Sequence, residues 1–129
     1  MTQRKVFVSF DFDNDSTIKM FLVNQSKLPD TPFDIWDSSV KEHMDGDWQT
    51  KVRNKIRNVD VVCVLCGEKT HTAKGVAIEL TIAKDLGKDY FLLNGYKERI
   101  CTKPTSASTS DKIYDWTWEN LKLLIHGGR

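Results

Sequence analysis

The chain has 129 residues, 40% of them hydrophobic and 29% charged, and 19 Lys and Arg set against 18 Asp and Glu leave a formal net charge of +1. This length suits one domain over 1–129, and six Phe, four Trp and three Tyr supply the apolar bulk for a packed core, which excludes a wholly disordered chain. The charge balance excludes a dedicated nucleic-acid binder, whose affinity comes mainly from neutralising phosphates.

Val6, Val8 and Phe10 alternate with Phe7 and Ser9 and predict a first strand, ending in the acidic run Asp11, Asp13 and Asp15. Asp15 or Ser16 then caps a helix over 17–26, with Ile18, Phe21, Leu22 and Gln25 at helical spacing. Residues 33–37 read as a second strand and 38–46 as a polar loop. The apolar residues Trp48, Val52, Ile56 and Val59 fall within about 80° on a helical wheel, so 48–59 is an amphipathic helix. Its outer face carries Lys51, Arg53, Lys55 and Arg57, read as solvated surface. The Val-rich run 60–65 suits a strand covered on both faces. A helix from Thr70 or Thr72 to Leu86, closed by Gly87, precedes a strand over 90–93 and a loop over 95–110. A short edge strand at 113–116 follows, and Thr117 caps a last helix over 118–126.

Alternating strands and helices imply an α/β, three-layer fold: a parallel sheet of four to five strands with helices on both faces, in the flavodoxin-like order 2-1-3-4-5. Ligands of such sheets bind beyond the carboxyl ends of the strands, beside the switch between strands one and three.

Several chemistries are excluded by what those loops hold. Cys63, Cys66 and Cys101 are odd in number and unevenly spaced, which does not make a secreted disulfide framework. With no signal-like segment and no run of about 18 apolar residues, a cytoplasmic protein without membrane contact is expected. Cys63 and Cys66 lie three apart on a strand and so point to opposite faces, as buried structural cysteines. His43, His71 and His126 lack zinc-ligand spacing, and no metal is expected. No glycine-rich phosphate loop occurs, and the three aspartates after strand one would repel a phosphate. Those aspartates could instead hold a divalent cation; capping and solvation are the simpler role.

Glu79 is the informative residue. With Gly75 at 0° on the wheel it falls at about 40°, inside the arc made by Val76, Ile78, Leu80, Ile82, Ala83 and Leu86. A carboxylate directed at a core costs free energy unless it is paired or lies in a cleft. Helical side chains lean toward the N-terminus, which tilts Glu79 toward the carboxyl edge of the sheet. A site acid and an acid paired inside the core are both open on this basis.

Lys5-Val6-Phe7-Val8-Ser9-Phe10 resembles the first motif of TIR domains, and Gly75-Val76-Ala77-Ile78-Glu79 with the following 83–88 resembles the helix that carries their catalytic glutamate. Val61 to Gly67 fits the strand before it. Trp36-Asp37-Ser38-Ser39, Thr70-His71-Thr72 and the stretch 111–118 look most like the bacterial TIR-like family that includes the TIR subunit of the Thoeris antiphage system. The resemblance implies a TIR fold, NAD+ as substrate rather than cofactor, cleavage of its nicotinamide glycosidic bond, and a cyclic ADP-ribose-type product. It implies Glu79 as the catalytic acid, with Phe10, Asp11, Trp36, Asp37, Ser38 and His71 lining the substrate pocket. It also implies self-association, with the 38–46 loop completing a neighbour's site, a phage-derived trigger, and a downstream effector reached by the product. Many catalytic TIR domains carry Trp four residues before the glutamate, where this chain has Gly75; an aromatic platform would come from Phe10 or Trp48. That departure sustains an alternative, a noncatalytic TIR-like interaction module.

Overall fold

Strand β1 (Arg4–Ser9) is an interior strand of the sheet, between the edge strand β2 (Phe33–Ser38) and β3 (Val61–Cys66), and β4 (Asp89–Asn94) and the two-residue β5 (Ile113–Tyr114) follow outward. The computed structural model describes residues 4–28, 33–38 and 46–126. Every pairing is parallel and the order is 2-1-3-4-5, as the alternation of elements predicts. In register, Val6 pairs with Val61 and Ser9 with Val64, while β3 and β4 pair along their full six residues. The α-helices among the described residues are α1 (Phe12–Gln25), α2 (Gly46–Arg57), α3 (Lys74–Asp85) and α4 (Trp118–Ile125).

Strand parity sorts the core into two layers. Val6, Val8, Phe10, Val61, Cys63, Leu65, Phe91 and Leu93 face one way and pack with Ile18 and Leu22 of α1 and Leu121, Leu124 and Ile125 of α4. Phe7, Val62, Val64, Cys66 and Leu92 face the other way, against Trp48, Val52 and Ile56 of α2 and Val76, Leu80 and Ala83 of α3. All six residues of β3 are buried, which is why its sequence is apolar without alternation. Cys63 and Cys66 occupy opposite layers as free thiols, and burial raises both above the ordinary thiol range.

Local chemistry sets the helix ends. Thr117 Oγ1 accepts the Asn120 N–H at 3.1 Å and caps α4. Gly87 closes α3 with φ of 66°, a left-handed conformation that a Cβ disfavours, while Lys88 N–H returns to the Ala83 carbonyl at 3.0 Å.

Two predicted boundaries are corrected. Helix α1 begins at Phe12, inside the acidic run expected as a loop, because the Asp11 carbonyl accepts the N–H groups of Asn14 and Asp15 at 3.2 and 2.8 Å. Asp15 does not cap it but breaks it internally, at φ −121° and ψ 17°. The helix expected from Thr70 or Thr72 is instead a 3₁₀ turn, Thr70–Thr72, separated from α3 by the extended Ala73. No helix among the described residues is long and apolar enough to cross a membrane.

Candidate active site

Glu79 sits in the second turn of α3 and is 2% exposed. The carboxyl-terminal residue of β1, Ser9, is fully buried beneath it, and its Oγ donates to Glu79 Oε1 at 2.7 Å. Parity explains the meeting: Ser9 follows Phe7 on the α2/α3 side of the sheet, and the wheel position of Glu79 turns it toward that same side. A hydroxyl–carboxylate bond at this length is charge-assisted and satisfies two polar groups that would each be costly alone in an apolar layer. The pair lies at the carboxyl end of β1, between β2 and β3, where the strand order reverses.

The other predicted residues spread around this edge. Phe10 is 2% exposed but belongs to the α1/α4 layer, with its ring centroid 6.0 Å from that of Phe12 and the Lys19 ammonium 5.9 Å away. Asp11 is nearly buried and accepts Asn14 Nδ2 at 2.6 Å, so it braces the first turn of α1. His71 is exposed on the 3₁₀ turn, where its N–H donates to Thr102 Oγ1 at 3.0 Å and its Nδ1 lies 2.9 Å from the same oxygen. Trp36, Asp37 and Ser38 belong to β2, but their side chains, like the 38–46 loop short of Gly46, lie outside the described residues. Trp48, proposed as an aromatic platform, is buried in the same layer as the Ser9–Glu79 pair.

Ser9 is the residue that motif reading passed over. Its signal was available: a hydroxyl that follows the apolar run Val6–Val8, on the parity that faces the helix carrying Glu79 in its apolar arc.

A second polar cluster surrounds Asp15. Asp15 is 2% exposed; Oδ1 accepts the Tyr96 hydroxyl at 3.0 Å, and Oδ2 is buried with no hydrogen-bond partner among the described residues. Burial first, and the nearby Asp11 charge further, hold this carboxyl above the usual carboxylate range, opposed by the Tyr96 bond and by Arg99. Tyr96 in turn is pushed up to about 12, by desolvation and then by its bond to Asp15. Gly67 is required beside them, since a Cβ there would lie 2.5 Å from both Asp15 oxygens. Among the described residues no group of three or more His, Cys, Asp or Glu is arranged to hold a metal ion. An open cleft of about 780 Å³ lies on the α1/α4 side, lined by Phe21, Gln25, Lys97 and Trp116 among others; of the predicted site residues whose side chains are described, Phe10, Asp11, His71 and Glu79, none lines it.

A five-stranded parallel sheet in the order 2-1-3-4-5, with an acid held over the carboxyl end of β1, fits the class of TIR-like domains. Residues 7–96 match the family described as Thoeris protein ThsB, TIR-like domain, and the chain belongs to that family. None of the curated proteins compared with the chain matches it.

Proposed function

We propose that this domain processes NAD+, breaking the bond between nicotinamide and ribose to make a cyclic ADP-ribose-type signal in antiphage defence. The observation that carries the reading is the placement of Glu79: a carboxylate withdrawn from solvent, fixed by Ser9, at the carboxyl end of β1 in a chain of the Thoeris TIR family. In the reaction the bonding pair leaves with nicotinamide, and positive charge develops on the ribose C1′ and ring oxygen. A carboxylate in a low-dielectric setting stabilises that charge more than water does, as in glycoside hydrolysis. A nucleophile from the same nucleotide then closes the ring, or water ends the reaction as hydrolysis. NAD+ is the substrate and no separate cofactor is required.

Phe10, Asp11, Trp36, Asp37, Ser38 and His71 are proposed to line the substrate pocket, with Trp48 as aromatic surface behind Glu79. Assembly with further copies, through the 38–46 loop, is proposed to complete the site, so an isolated subunit has little activity until a phage-derived trigger acts. The test is nicotinamide release from NAD+ by the assembled protein, abolished in Glu79→Gln. Gly75 favours a second reading, a noncatalytic TIR-like interaction module, because it removes the aromatic side chain one turn before the glutamate. That reading predicts association without turnover.

A further inference from the structure

We propose that the cleft on the α1/α4 side is a second ligand site that takes an adenine nucleotide, with aromatic faces for the base, a carboxylate for its amine and an ammonium for its phosphate. The site is independent of Glu79, because the sheet lies between the two places. Glu79 belongs to α3, which packs on one face of the sheet, whereas α1 and Trp116 pack on the other. The cleft volume of about 780 Å³ lies within the roughly 300–1,000 Å³ of small-molecule pockets.

Its walls are built from fixed parts. Trp116 Nε1–H donates to Gln25 Oε1 at 2.7 Å, which holds the half-buried indole and occupies the oxygen of that amide. Asn94 Oδ1 accepts the Cys101 thiol at 2.8 Å and the Tyr96 N–H at 3.4 Å. Both amide oxygens are thus taken by internal donors, and the NH2 group of each has no acceptor among the described residues. Two such donors on a cleft wall suit the ring nitrogens of a base. Phe21, 58% exposed, adds a second aromatic ring beside the indole, and bases stack on such faces.

The charges select the rest of the ligand. Lys97 follows β4 and Asp115 follows β5, so opposite charges reach the cleft from separate loops. Neither forms an ion pair among the described residues. The Asp115 backbone is set by its carbonyl, which accepts the Thr117 N–H at 3.0 Å and Asn120 Nδ2 at 2.9 Å. A cation and an anion held apart in one cleft fit a ligand with an anionic group and a hydrogen-bond donor at different points. In an adenine nucleotide these are the phosphate and the exocyclic amine, and the two-ring base matches the two-ring indole.

The test is calorimetric titration of the full chain with AMP, adenosine and IMP, repeated in Lys97→Ala and Asp115→Asn. Both positions are exposed, so the fold should persist in each variant. AMP is expected to bind, and adenosine, which lacks the phosphate, about 10-fold more weakly. IMP carries a carbonyl in place of the amine and should also bind about 10-fold more weakly, since that carbonyl meets the Asp115 carboxylate. Asp115→Asn, whose amide can donate, should bring AMP and IMP within about threefold of each other. Lys97→Ala should weaken AMP about 10-fold and leave adenosine unchanged. In nitrogen-15 NMR, AMP should shift the Trp116 indole N–H and the Gln25 and Asn94 side-chain NH2 signals. No binding at about 5 mM AMP, an affinity unchanged in both variants, or shifts at Ser9 and His71 with none at Trp116 would each overturn the proposal. None of these readouts involves turnover, so they decide the second site whether or not NAD+ is the substrate at Glu79.

Discussion

Replacing Asp15 by Asn changes how folding stability depends on pH. Asp15 is 2% exposed, one of its oxygens has no hydrogen-bond partner among the described residues, and burial holds its carboxyl above the ordinary 3.8 in the folded protein. Between the unfolded and the folded pKa the native state binds the proton and the unfolded state does not, so the stability from this group is complete below about 3.8 and declines as pH rises through the folded value. The slope of that decline reaches about 1.4 kcal/mol per pH unit where the two states differ by one proton. Asn carries no ionisable proton and keeps the shape, so the Asp15→Asn protein lacks this component; its carbonyl can still accept the Tyr96 hydroxyl now donated to Oδ1. Urea midpoints of both proteins from pH 4 upward give the comparison, because the other acids contribute to both. The expected result is a stability gap that moves in favour of Asn as pH rises and levels off above the folded pKa. Parallel curves at all pH values would show that Asp15 is solvated as an ordinary surface acid, and would refute the reasoning from its burial.

Further expectations concern packing, caps and thiols. Thr117→Ala removes the side-chain acceptor for Asn120 N–H and should cost about 1 kcal/mol in chemical denaturation. Leu80→Ala, fully buried between α3 and the sheet, should cost about 2–5 kcal/mol by the same assay, and a loss under about 1 would argue that the α2/α3 layer is loosely packed. In the native protein a thiol reagent should label Cys101, half-buried on its loop, before Cys63 and Cys66, which should react only at the rate of unfolding. Equal labelling rates for all three would contradict the buried assignments.

The architecture was legible because its determinants are local and periodic. The apolar run of β3, the amphipathic stripe of α2, Gly87 and Thr117 each announce an element or its end, and right-handed crossovers reduce the possible orders to few. The burial of Glu79 was legible for the same reason, as a wheel position. The start of α1 was not, because a run of aspartates resembles a solvated loop and the deciding bonds run from the Asp11 carbonyl, which sequence does not show. Phe10 and Ser9 are adjacent in the motif yet belong to opposite layers, and parity rather than motif membership determines which one meets Glu79. The pairing of Asp15 with Tyr96 spans 81 residues and leaves no periodic trace.

Nicotinamide release from NAD+, measured on the assembled protein beside its Glu79→Gln variant, tests the central claim most directly. Turnover that disappears with the Gln substitution, while the variant keeps its fold and its assembly, is the predicted result. Turnover that survives the substitution would contradict a catalytic role for Glu79, and assembly without turnover in the wild type would contradict the enzyme.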